Sequence, residues 1–271
     1  MPADPLLIAF DLETTGLFPG DDRIVEIGAI AFDRRGDVAE TFQRLIHPGR
    51  PMPARASAIN RLYDRDLADA PPAAEVLPDF LRFLERAGGP PLLAHNAAFD
   101  AGFLGMELAR AGLAPPTAPI VDTLPIARVA LPGLRSHRLD LLVEHFGLAP
   151  ALTHRALADA EAVMKLWFRL GGPAHDIGAL TSYPIRDGSK PVRPPNGWER
   201  LDEAAGRGLP VRIAYAGGRR GDAPRVVTPR CFAHRGGIAY LVATCHIDRI
   251  EKSFRLDRIK TYEIVEPEPT P

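Results

Sequence analysis

Apolar residues come in short unbroken runs near the start of the chain and at helical spacing further on. Leu6-Leu7-Ile8-Ala9-Phe10-Asp11-Leu12-Glu13 is an apolar run that meets turn chemistry at Thr14-Thr15-Gly16, which predicts a central strand. Ile24 to Phe32 and Thr41 to Ile46 predict two more strands, with Asp33-Arg34-Arg35-Gly36-Asp37 as the hairpin turn between them. Val76, Leu77, Phe80, Leu81 and Leu84 recur at helical spacing within Ala73 to Ala87, and Gly88-Gly89 ends that helix. Pro91 to His95 reads as a fourth strand, Phe99 to Ala111 as a helix stopped by Gly112, and Pro119 to Thr123 as a fifth strand. Leu139 to Phe146 and Ala156 to Leu170 read as helices. Three antiparallel strands followed by alternating helices and strands predict an α/β fold, a mixed sheet with helices packed on it.

Between Gly171 and Gly197 the pattern dissolves, and Pro173, Pro184, Pro191, Pro194 and Pro195 mark a linker. Beyond it, Val211 to Tyr215, Arg225 to Val227, Ile238 to Ala243 and Phe254 to Leu256 are short alternating runs between glycine-rich turns, which predicts a small all-β barrel or sheet. The expected organisation is a first domain over 1–175, a linker over 176–197, a β domain over 198–265 and a tail over 266–271.

The chain has 271 residues, 46% hydrophobic and 25% charged, an ordinary globular balance that supports two cores without disulfides. Cys231 and Cys245 lack metal-ligand spacing and read as thiols of a reducing, cytoplasmic environment. The start, Met1-Pro2-Ala3-Asp4-Pro5, lacks the features of a signal peptide, and no apolar run nears the roughly 20 residues that span a bilayer. Nothing therefore points to a membrane partner, and the sequence sets no oligomeric state. The net charge of −1 hides an asymmetry: residues 1–181 carry 17 Lys+Arg against 23 Asp+Glu (17 − 23 = −6), and residues 182–271 carry 16 against 11 (16 − 11 = +5). An acidic front suits divalent cations, and a basic back suits phosphate or nucleic acid.

Asp11 and Glu13 are two apart on a predicted strand, so both carboxylates project from one face. Adjacent anions at a strand end repel unless a cation sits between them, and hard oxygen ligands favour Mg²⁺ or Mn²⁺; the alternative is a solvated strand end. Asn96 reads as a helix N-cap, which puts Asp100 in the first turn, where the helix dipole alone would also favour it. His154 and Asp159, five apart, diverge by roughly 140° on one continuous helix, so they converge only if His154 sits in the preceding loop. A loop histidine is suited to act as a base near neutral pH, or is simply a surface side chain.

In order, Asp11-Leu12-Glu13-Thr14-Thr15-Gly16, His95-Asn96-Ala97-Ala98-Phe99-Asp100 and His154-Arg155-Ala156-Leu157-Ala158-Asp159 resemble the three motifs of the DEDDh family. These are the DnaQ-like exonucleases that include the polymerase III epsilon proofreading subunits. Ile59-Asn60-Arg61-Leu62 and Asp122-Thr123 to Ala127-Arg128 resemble two lesser family segments, the first departing from the usual Ile-His-Gly-Ile. The resemblance implies a ribonuclease H-like fold and 3′→5′ hydrolysis with two ions, Mg²⁺ or Mn²⁺. It implies that Asp11, Glu13 and Asp159 hold one metal and that Asp11, supported by Asp100, contacts the second. His154 would deprotonate the attacking water. Thr14, Thr15 and Gly16 would seat the terminal nucleotide, with Leu17, Asn60 and Phe99 as further substrate contacts. The implied partner is nucleic acid, single-stranded DNA or a DNA 3′ end in repair or trimming. RNA trimming is the alternative, and a non-catalytic sensor a more distant one.

Residues 198–265 resemble a WYL domain, an SH3/Sm-like β-barrel of bacterial regulators. The match rests on Val211 to Tyr215, Arg225 to Pro229, Ala239 to Ala243 and Ser253 to Ile259, with Ala239 where the name-giving tryptophan stands. That resemblance implies a nucleic-acid or nucleotide-like ligand, for which Tyr215, Arg225, Arg255 and Arg258 could stack a base and clamp phosphate.

Overall fold

A computed structural model describes residues 6–148, 154–188, 194–217, 223–235, 238–248 and 250–265, with backbone alone for 233–235, 250 and 251. The chain divides into two compact units, Met1–Ser189 and Lys190–Pro271.

In the first unit β1 (Leu7–Thr14), β2 (Ile24–Phe32) and β3 (Val38–Leu45) form an antiparallel meander. Three helices follow, α1 (Ala54–Asn60), α2 (Asp64–Leu67) and α3 (Ala73–Arg86). Next come β4 (Leu92–Ala94), α4 (Ala98–Arg110), β5 (Ile120–Asp122), α5 (Thr123–Ala130), α6 (Leu139–Phe146), α7 (Ala156–Arg169) and β6 (Ser182–Tyr183). The six strands lie in the order β3-β2-β1-β4-β5-β6, with β1, β4 and β5 mutually parallel. All nine residues of β2 are buried, the pattern of a strand covered on both faces. On β1, Ile8, Phe10 and Leu12 join Phe80, Phe83, Phe103 and Leu104 in one core layer. Leu7 and Ala9 join Ala160, Val163, Met164 and Trp167 of α7 in the other. The period of two therefore carries Asp11 and Glu13 onto the α7 face.

Two expectations need correction. Asn96 does not cap α4 with its side chain: the helix starts after Ala97, and Asn96 lies in the left-handed region at φ 71°. Its backbone N–H donates instead to the Asp122 carboxylate at 2.9 Å. The stretch read as a linker over 176–197 is in part folded structure. Ser182–Tyr183 pairs with β5, Ile185 is buried, and Gly188 N–H donates to Gly105 O at 3.2 Å. A two-residue strand and one isoleucine between prolines carry too short a pattern to show a period.

Among its described residues the second unit has the helix α8 (Glu199–Gly206) and a five-stranded antiparallel sheet. Its strands are β7 (Val211–Tyr215), β8 (Arg225–Arg235), β9 (Ile238–Cys245), β10 (Ile250–Arg255) and β11 (Ile259–Ile264), ordered β10-β9-β8-β7-β11. The two outermost strands, β10 and β11, follow one another through the 3₁₀ turn Leu256–Arg258. Leu201 and Ala204 of α8 are buried with Val211, Ile213, Val227, Leu241 and Phe254.

Candidate active site

The parallel strands β1, β4 and β5 end along one edge of the sheet, the place where open α/β sheets bind ligands. Three devices bring α7 to that edge. Gly28 on β2 is the register partner of Asp11, and a Cβ there would lie 2.1 Å from Ala156 C and Leu157 N. The first turn of α7 thus rests on bare strand backbone, which no other residue type permits. Glu26, register partner of Glu13, is fully buried. Its carboxylate accepts from Arg155 Nη2 at 2.8 Å, Arg155 Nε at 3.0 Å and Ala156 N at 3.1 Å, and from Gln43 Nε2 at 2.8 Å. The apolar packing of Ala160, Val163 and Trp167 sets the rest of the helix. Sequence reading overlooked Glu26; the available signal was an acid inside an otherwise apolar strand, which cannot be buried without a partner.

Asp159, in the first turn of α7, meets Glu13 and His154, whose ligand atoms all lie within 4.8 Å of one another. Among the described residues Asp159 Oδ1 is buried without a hydrogen-bond partner. His154 stands just before α7 at φ 51°, its Nδ1 4.0 Å from Asp159 Oδ2 and its side chain 36% exposed. Asp100, buried at the start of α4, adds its charge beside Asp11. Burial, then Asp159, Glu26 and Asp100, push Glu13 up to about 8. Burial, then Glu26 and Asp140, push Asp159 up to about 7. Burial and the surrounding carboxylates hold Asp11 well above the usual range, and burial does the same for Asp100. Arg155 offsets part of this charge at Glu13, and a cation among the carboxylates would supply more.

Asp11, Glu13, His154 and Asp159 border a cleft of about 610 Å³, lined also by His95, Asn96, Leu124, Arg128 and the stretch from Arg135 to Asp140. Asp122 braces one side by accepting from Asn96 N and Leu124 N, both at 2.9 Å. His95 lies between Thr123 Oγ1 (2.9 Å) and His137 O (2.7 Å), and burial lowers its pKa.

Residues 8–167 match the model of the Exonuclease (RNase_T) family, and residues 198–264 match that of the WYL domain. The chain belongs to the exonuclease family. It is 44% identical over 161 residues to DNA polymerase III subunit epsilon of Treponema pallidum (strain Nichols), covering 59% of this chain and 73% of that one. It is 37% identical over 163 residues to DNA polymerase III PolC-type of Oceanobacillus iheyensis, 60% of this chain but only 11% of that protein. Among solved structures, the nuclease domain of 3′hExo, a DEDDh family member bound to rAMP, has a TM-score of 0.56 at 15% identity, covering 67% of this chain and 97% of that chain. This likeness shows the ribonuclease H-like mixed sheet of the first unit, and the antiparallel sheet of the second unit fits the matched WYL region.

This DnaQ-like 3′→5′ exonuclease is therefore an enzyme of a metal-dependent family, and its residues fit a metal. The unpartnered, buried Asp159 Oδ1 and the converging all-oxygen acids are the donor set that a hard divalent cation requires.

The substrate residues read from the resemblance divide into two groups. Leu17 is 53% exposed, and half-buried Phe99 stacks on Phe103 at 4.7 Å. Thr14, Thr15 and Asn60 are buried, and their side chains are engaged within the protein. Thr14 Oγ1 donates to Gly16 O at 2.6 Å, and Thr15 Oγ1 donates to Asp22 Oδ1 at 3.1 Å. Asn60 Nδ2 donates to Thr14 O at 3.3 Å, and its Oδ1 accepts from Leu62 N at 3.1 Å. Asn60 thus braces the Thr14 turn from beneath. Gly16 is required locally, since a Cβ there would meet the Asp22 carboxylate at 2.3 Å.

In the exonuclease's second unit, the buried Arg225 lies over the Tyr215 ring at 5.9 Å. Tyr215 also accepts from Arg255 N at 3.3 Å. Arg255 is paired with Asp257 at 2.6 Å, and Arg258 lies close to Gly217.

Proposed function

We propose that this exonuclease removes nucleoside monophosphates one at a time from a DNA 3′ end, with His154 as general base and Asp11, Glu13, Asp100 and Asp159 holding two divalent ions. The observation that carries this reading is the convergence of Glu13, His154 and Asp159, with one buried Asp159 oxygen left without a hydrogen-bond partner among the described residues. Mg²⁺ or Mn²⁺ bound there would polarise the phosphate and offset the negative charge that builds on it. With Nδ1 turned toward Asp159, the Nε2 of His154 takes the proton of the attacking water. The Thr14–Gly16 turn, stiffened by Asn60 and Asp22, holds the terminal nucleotide against backbone. DNA is favoured over RNA because the 44% identical relative bears the name of a DNA polymerase subunit.

The basic second unit binds nucleic acid or a nucleotide through Tyr215, Arg225, Arg255 and Arg258. Arg225 set over an aromatic ring in a unit of net positive charge supports this role. Purified protein, 5′-labelled single-stranded DNA and RNA, and Mg²⁺ or Mn²⁺ test the reading. A ladder of shortened DNA is expected, lost in Asp11→Ala and His154→Ala. Metal-independent cleavage, or no cleavage of either polymer, overturns it; faster cleavage of RNA overturns the DNA assignment.

A further inference from the structure

The cleft's rim contains positive charge that the hydrolytic chemistry does not use. Arg128, in the last turn of α5, and Arg135 and Arg138, in the segment before α6, line the same cleft as Asp11, Glu13, His154 and Asp159. Residues 1–181 carry net charge −6, so three arginines at the mouth of the acidic site run against the composition around them. Arg138 is partly engaged, with Nη2 2.7 Å from Asp140 Oδ2 in an exposed pair. No hydrogen bond or ion pair joins the guanidinium of Arg128 or Arg135 to another described residue. Both side chains are exposed, yet the backbone beneath them is anchored. His95 Nε2 meets His137 O at 2.7 Å, His137 Nε2 meets Leu131 O at 2.9 Å, and Leu134 N–H donates to Leu131 O at 3.1 Å. Leu131, Leu134 and Leu139 pack against the buried Leu166 and Leu170 of the α7 region. An anchored backbone limits the order lost on binding an anion to that of the guanidinium side chains themselves. Guanidinium matches phosphate oxygens bidentately.

On the exonuclease reading the carboxylate site acts on one phosphodiester at a time, so an anion at the rim would be a further phosphate of the same strand. We propose that Arg128 and Arg135, with Arg138 as a shared third member, form a phosphate track that grips the backbone upstream of the scissile bond. It rests on the exonuclease reading of the cleft. The track makes the enzyme select a polynucleotide over a lone nucleotide ester, without reading bases.

The test compares wild type and Arg128→Gln/Arg135→Gln on oligo(dT) and on the p-nitrophenyl ester of thymidine 5′-monophosphate, which has no upstream phosphate. The double variant should lose kcat/KM on the oligonucleotide about tenfold more than on the ester, about 1.4 kcal/mol in all for two exposed charged contacts. The slope of log binding constant against log salt should fall by about 0.7 per lost contact. Anisotropy of a labelled oligonucleotide in Ca²⁺ measures the same grip without turnover. Equal losses on the two substrates, or unchanged oligonucleotide affinity, overturn the track. A wild type that cleaves neither substrate overturns the catalytic reading, and the anisotropy arm then still decides whether the arginines hold the strand.

Discussion

Gly28→Ala should uncouple folding from catalysis. The added Cβ would sit 2.1 Å from backbone atoms of Ala156 and Leu157, where ordinary contact begins at 3.4 Å, a deficit of 3.4 − 2.1 = 1.3 Å. No side chain can rotate away, because both obstacles are main chain. β2 is buried along its whole length between two layers, so the first turn of α7 has to yield. A shift of that size stretches the 3.1 Å bond from Ala156 N to Glu26 beyond hydrogen-bonding range and moves Asp159 away from Glu13. Overpacking of this kind costs about 1–3 kcal/mol, or a drop in Tm of roughly 2–10 °C for a domain this size. Catalysis is the more sensitive property, since about 1 Å of misplacement costs on the order of 100-fold in rate. Gly20→Ala is the control, because nothing lies within 4 Å of its Cβ position. Thermal melting and hydrolysis of the thymidylate ester are measured on both variants. Gly28→Ala should melt cooperatively, a few degrees lower, with kcat down about 100-fold. If it keeps wild-type kcat, the close docking of α7 does not position Asp159, and the account of the site fails.

Three further outcomes are expected. Glu13 and Asp159 rise from 4.5 and 3.8 to about 8 and about 7, so the folded metal-free protein retains protons that the unfolded chain releases. Their contribution to stability is full below about pH 4 and is lost as pH rises through 7 to 8, so metal-free Tm should fall across that window and Mn²⁺ should restore it; a flat profile with no response to Mn²⁺ would contradict the electrostatics. Arg155→Ala leaves Glu26 buried without its cation and should cost about 3 kcal/mol in urea unfolding, the low end for a buried pair because Arg155 is partly exposed. Adding Glu26→Gln to it should recover part of that loss; a purely additive double variant would show that the two do not interact. Ending the chain after residue 175 removes β6 and buried Ile185, forfeiting about 1.5–3 kcal/mol of apolar burial that a chain ending after residue 188 keeps; equal melting temperatures for the two truncations would refute this.

Much of the site was already readable along the chain, for a local reason. Strands alternate with a period of two, so Asp11 and Glu13 were bound to share a face wherever β1 lay. The break before α7 let His154 and Asp159 converge, and His154 indeed stands outside the helix at φ 51°. The ordered motifs indicated which acids to bring together. The burial of the Asn60 side chain was not legible in the sequence, because it depends on α1 folding beneath Thr14, which no motif announces.

The wider set of acids came from the family resemblance, whereas residue type and spacing established the central strand, the helices α3, α4, α6 and α7, two units and one shared face for Asp11 and Glu13. These follow from local geometry, which neighbouring residues set for one another. The roles of Glu26, Gly28, the arginine rim and the 182–188 strap emerged only once the chain had folded. Glu26 is separated from Arg155 by 129 positions, and Gly105 meets the backbone of Arg186 only because β6 returns to β5. Whether a buried charge is tolerated, or a missing Cβ is needed, depends on what the far chain places there. That is a property of close packing in three dimensions, and no stretch of the chain carries it alone.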